Sequence, residues 1–252
     1  MHSLVNLASA SFALWMVVFA SREPSAAFPY GYGKAEYFSA AFEGALVAVA
    51  GAGILFAAAE RTAHPHPLHP VGLGAGLSVL AAMINLVIAQ LLLRVGRAHR
   101  SLATEGDGRH LMADVWITAG VIAGAVLASL TGQAWIDVAA AVLMALALLW
   151  VGLRLLAAAG GGLLDAAWPE PDIERFEQSL HALELEGAHF ADLRTRRAGA
   201  RRFAAVALYV PAACDVERAD GRAKAAERAA AAQGVALLVR IRPARELMPL
   251  RG

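Results

Sequence analysis

Five apolar stretches of about twenty residues, near 1–21, 38–60, 71–95, 110–131 and 134–157, dominate the first two thirds of this chain. Each is long enough to cross a hydrocarbon layer as a helix, the only open-chain structure that satisfies its own backbone there. PHPLHP separates the second stretch from the third, and SLTGQAW separates the fourth from the fifth. Composition agrees: 58% of residues are hydrophobic and 17% charged, with mean hydropathy +0.53. A soluble core of that make-up would leave large apolar patches in water. A formal net charge of +1 gives no argument for a nucleic-acid partner. The single cysteine, Cys214, excludes an internal disulfide and a thiolate-rich metal site, and reads as a small buried hydrophobe.

Charge divides the chain. Residues 1–160 read as a transmembrane domain, 161–170 as a linker, and 171–252, which hold most of the arginine and glutamate, as a soluble domain. Arg22 and Lys34 follow the first span, and Arg94, Arg97, Arg100 and Arg109 follow the third, whereas the opposite loops offer Arg61. That asymmetry places these loops and the soluble domain in the cytoplasm. It also places Met1 on the far side, so an additional upstream helix is expected. Trp135 and Trp168 fall where aromatic anchors sit at a membrane surface.

In the tail, Ile173, Phe176, Leu180 and Leu183 recur at helical spacing behind Pro171. ADLRTRRAG and RRFAAVALYV read as a hairpin turning at Ala198–Ala200. Asp215 caps an alanine-rich helix ending at Gly234, and VALLVRIRP alternates, with Arg240 and Arg242 opposite Val235, Leu237, Val239 and Ile241. The predicted order is helix, strand, strand, helix, strand.

Two polar pairs interrupt the apolar stretches: His2 with Asn6, and His110 with Asp114. A spacing of four puts both members on one helix face. Polar groups at membrane depth are costly and persist where they pair, line a cavity or bind an ion. Two imidazoles, a carboxylate and an amide oxygen form a plausible transition-metal set, read here as a four-point site between two helices. Interhelical hydrogen bonding is the plainer alternative. Glu43, Asn85 and Asp137 also lie in or near spans and are candidates for an ion pathway, with interhelical hydrogen bonds again the alternative. His64, His66 and His69 cluster in a proline-broken loop that presents no helical ligand face.

With HSLVN in the first span, YGYGKAE after it, H-x-x-x-D opening the fourth, LLD near the end of the fifth and DLRTRRAG in the tail, the chain resembles the cation diffusion facilitators. The resemblance implies a membrane α-helical bundle, five spans here against six in the family, and a C-terminal α/β ferredoxin-like cytoplasmic domain. It implies a homodimer in a lipid bilayer, here the bacterial inner membrane, exporting a divalent metal against protons. Zinc is the first candidate, with cobalt, nickel, iron and cadmium open on ligand type. The transport site would fall on His2, Asn6, His110 and Asp114, with Asn6 standing where the family commonly has aspartate. Lys34 and Asp165 match a charge interlock at the membrane end of the dimer.

Accessory sites of some relatives are expected to be missing. Phe28 and Tyr32 stand where a loop metal site would need histidine or aspartate. Arg240, Arg242 and Asp220 replace ligands of a zinc site in the tail, leaving His189, and a guanidinium cannot coordinate metal. Two rival classes compete with transport. One is a degenerate, non-transporting family member acting as a dimeric partner or regulatory subunit. The other, an enzyme using His110 and Asp114 as an acid/base pair, lacks an accompanying nucleophile or pocket motif.

Overall fold

The computed structural model describes residues 2–63, 73–99, 101–133, 135–184 and 187–244. The side chains of residues 2–9, and the loop holding His64, His66 and His69, lie outside that description. The chain forms two compact units, Met1–Gly161 and Gly162–Gly252.

The first unit is a helical bundle: α1 (His2–Ala20), α2 (Ala35–Ala63), α3 (Leu73–His99), α4 (Leu102–Thr131) and α5 (Trp135–Leu163). Four of these helices are long and apolar enough to cross a membrane. The 19 residues of α1 rise about 28 Å, also close to a hydrocarbon thickness of roughly 30 Å. Leu77, Leu80, Ile84, Val87 and Leu91 form an exposed apolar stripe along α3, the face a bilayer would cover.

Packing between α2 and α5 depends on small residues. A Cβ on Gly152 would lie 2.6 Å from the Ala48 nitrogen and 2.7 Å from the Gly44 oxygen, so the two backbones touch where no side chain fits. This close approach replaces the hydrophobic drive that is missing between helices in lipid. Helix α1 packs on α2 and α4, and α3 on α4.

Helix α4 starts eight residues before the apolar stretch that begins at 110. Ser101 caps it, its hydroxyl accepting from the Thr104 N–H at 3.3 Å, and Glu36 of α2 sits against Ser101 and the Leu102 and Ala103 amides. Arg109 therefore belongs to α4 and not to a loop: hydropathy marks the lipid-facing length, whereas caps and backbone hydrogen bonds mark the helix. At the other end Gly132 adopts φ 68°, the left-handed C-cap that lets the chain reverse in SLTGQAW.

The second unit follows the order α6 (Glu170–His181), β1 (His189–Ala198), β2 (Arg201–Val210), α7 (Val216–Ala232), β3 (Val235–Pro243). β1 and β2 form an antiparallel hairpin, and β2–α7–β3 is a parallel crossover, giving the mixed sheet β1-β2-β3. Phe176 and Leu180 of α6 and Ala219, Ala223, Ala226 and Ala230 of α7 cover one sheet face, against Val206, Leu208 and Val210. Cys214 packs at the edge of this core as a free thiol. Asp215 occupies the N-cap of α7 with extended backbone, but its side chain makes no capping hydrogen bond.

Trp168 is not a membrane anchor. It is 3% exposed inside this core, its Nε1–H donates to the Arg196 carbonyl at 2.9 Å, and its ring lies edge-on to Phe176. An indole with both an apolar bed and a carbonyl partner gains more from burial than from a water–lipid boundary.

Candidate functional site

Ser101 and Glu36 fix the start of α4, and two turns later the helix presents His110 to α2. Gly106, one turn before His110, faces Ala40 and Glu43 of α2, where a Cβ would sit in ordinary contact at 3.6 Å from the Glu43 Cβ. His110 is 8% exposed and Glu43 is fully buried, with Nδ1 of one 3.5 Å from Oε2 of the other. Asp114 lies one turn further along, half-buried, its carbonyl accepting from the Thr118 hydroxyl at 2.9 Å. Beyond them Val47, Ala113 and Leu148 close into an apolar cluster joining α2, α4 and α5. A buried carboxylate and imidazole against an apolar plug can exchange protons or bind a cation.

The structure brings Glu43, flagged in the sequence only as a pathway candidate, against His110. It also adds Asp107, half-buried three residues before His110 and in electrostatic contact with it. Asp107, His110 and Asp114 follow one stripe of α4 by spacing. The spacing is in the sequence, but the apolar stretch begins at 110 and leaves Asp107 outside it. His2 and Asn6 lie on α1, which packs on α4, and their side chains are outside the described residues. Among the described residues, no group of three or more His, Cys, Asp or Glu side chains is arranged to hold a metal.

Asp137, at the start of α5, pairs with Arg61 at the end of α2 at 2.7 Å. Asn85 is half-buried on α3. Lys34 immediately precedes α2 in the first unit. In the second unit Asp165, at φ 59°, faces Arg196 at 3.4 Å. Phe28 and Tyr32 pack ring to ring at 4.8 Å, with Phe19 against Tyr32 at 4.9 Å, so that loop is held by aromatic contacts. His189 stacks on Tyr209 at 5.2 Å.

Comparison with known proteins places this geometry in context. The family model of the cation efflux transmembrane domain matches residues 1–164. An uncharacterized transporter of Synechocystis, sll1263, is 36% identical over 231 residues, 92% of this chain and 74% of its own. Cation-efflux pump FieF of Salmonella typhi is 27% identical over 212 residues, 82% of this chain and 68% of its own. Among solved structures, the zinc form of the putative zinc transporter CzrB is 31% identical, covering 32% of this chain and 93% of its own at a TM-score of 0.30.

Proposed function

Because the chain belongs to the cation diffusion facilitator family of cation efflux transporters, we propose that it exports a divalent transition metal, zinc first, from the cytoplasm in exchange for protons. The observation that carries this reading is the His110–Asp114 turn of α4, inside the bundle, with Glu43 against the imidazole and α1 packed on the same helix. His2, Asn6, His110 and Asp114 are the proposed metal ligands. Imidazole and carboxylate are the donors that zinc takes in proteins; the amide of Asn6 completes four without adding charge.

Coupling follows from the ligands' own chemistry. Metal needs neutral imidazole and ionised carboxylate, so a proton on His110 or Asp114 excludes the ion. A site opened alternately to each side by shifting helices then exchanges one for the other. The small-residue contact of α2 with α5 would hold that pair together while other helices of the bundle shift. The basic residues before α2, at the end of α3 and early in α4 support a cytoplasmic side for those ends and the tail, in a bacterial inner membrane. The proposed working form is a homodimer, with Lys34 and Asp165 as its charge interlock.

Zinc uptake into proteoliposomes under an imposed pH gradient tests the reading. Asp114→Ala and His110→Ala are each expected to abolish it at near-normal expression. Retained flux in Asp114→Ala would remove α4 from the site.

A further inference from the structure

The sheet of the second unit has one face under α6 and α7 and one face open, and on the open face three arginines converge. β2 runs down its middle with Ala205 and Ala207. Arg194 of β1 pairs in register with Ala205, Arg240 of β3 with Ala207, and Arg242 with Tyr209. Residues in register on neighbouring strands share a face, so the three guanidinium groups flank a floor of two methyls. A cavity of about 200 Å³ lies there, lined by Asp192, Arg194, Ala205, Val206, Ala207, Arg240 and Arg242.

We propose that this cavity binds a phosphate-bearing anion, held by Arg194 from one side and Arg240 and Arg242 from the other above the Ala205–Ala207 floor. Three other strand arginines of the unit are neutralised, Arg196 by Asp165 and Arg197 and Arg202 both by Asp172, whereas Arg201 stands exposed at the hairpin turn. Arg194, Arg240 and Arg242 form no ion pair among the described residues. Like charges close together on one sheet face destabilise it, so such a trio is better explained by a ligand than by packing. Two strand spacings separate β1 from β3, about 9–10 Å, a gap that inward-reaching arginine forks can close on one small anion.

Asp192, the acid on the cavity wall, is held back by its own geometry. The register shifts between Ala191 and Arg194, a bulge that puts Asp192 at φ 55° and turns its carboxylate to accept from the Tyr209 hydroxyl at 2.8 Å. Three guanidinium groups against one carboxylate leave the cavity cationic. Arginine forks match phosphate oxygens in pairs, which selects phosphate over chloride. This inference does not depend on what the membrane unit carries.

Inorganic pyrophosphate titrated calorimetrically into the full-length protein in detergent, at constant ionic strength, is the test. Saturable binding is expected, weakened about tenfold or more by Arg240→Gln or Arg194→Gln and unchanged by Arg218→Gln, an exposed change on α7. Wild-type protein without saturable binding would overturn the site, as would equal competition by chloride, or an equal loss in Arg218→Gln. Repeating the titration in nanodiscs separates the sources of phosphate. Binding kept in both zwitterionic and anionic discs assigns a soluble anion, and binding lost only in anionic discs assigns a lipid headgroup to the same cavity.

Discussion

Replacing Gly152 with alanine adds one methyl where two helices touch, and the expected damage can be read from the distances. The new Cβ would lie 2.6 Å from the Ala48 nitrogen, 2.7 Å from the Gly44 oxygen and 2.9 Å from the Ala48 Cβ. Two of these three neighbours are backbone, so no rotamer change relieves them, and α2 must move away from α5 by about 1 Å to reach ordinary contact at roughly 3.5–4 Å. Overpacking of this kind costs about 1–3 kcal/mol. Gly44 and Gly51, whose added methyls would meet backbone at 3.0 Å, should lose less. Gly53→Ala is the internal control, since nothing lies within 4 Å of its Cβ. It should be neutral or gain up to about 1 kcal/mol from lost unfolded-state freedom. Thermal unfolding of the purified protein in detergent reads the series, at about 2–4 °C per kcal/mol for a chain of this size. If Gly152→Ala melts with wild type, or Gly53→Ala falls as far, close approach of α2 and α5 is not what holds the pair.

Trp168→Ala empties the core of the second unit and leaves the Arg196 carbonyl without its indole donor, so it should cost about 3–5 kcal/mol and lower the domain's melting temperature, whereas a membrane anchor would leave it unchanged. Burial raises the Glu184 carboxyl's pKa, but the Phe190 N–H at 2.7 Å and His181 outweigh it and hold it below the usual glutamate range. A depressed folded value means stabilisation present above the unfolded pKa and lost as pH falls through the folded one. Glu184→Gln should therefore destabilise at neutral pH, with the difference from wild type shrinking below about pH 4.3 in a melting series. Asn6→Asp should tighten zinc binding and steepen its pH dependence by adding a charged oxygen donor; metal titrations at several pH values that show neither would remove residue 6 from the site.

Local signals gave much of the fold. The hairpin turn after Ala198, the reversal at Gly132 and the alternation of β3 are each written in a few neighbouring residues, and the structure follows them. The start of α4 is not legible because a first turn capped by Ser101 and Glu36 carries no hydropathy signal, and Asp107 lies in that unmarked length. Glu43 against His110 joins residues 67 positions apart on two helices, which no periodicity encodes. Trp168 looked like an anchor because it follows an apolar helix; its hydrogen bond to Arg196 comes from a strand 28 residues later. The Asp192 bulge depends on register between strands, a property of the pair and of neither sequence alone.

Zinc accumulation in proteoliposomes, measured together with the luminal pH, tests the central claim most directly. Wild-type protein should take up zinc only while protons leave the lumen, and collapsing the gradient with a protonophore should stop uptake. His110→Ala and Asp114→Ala should show neither flux. Zinc entering at the same rate without a gradient, or proton release that continues in Asp114→Ala, would contradict an antiporter whose metal and protons compete for one turn of α4.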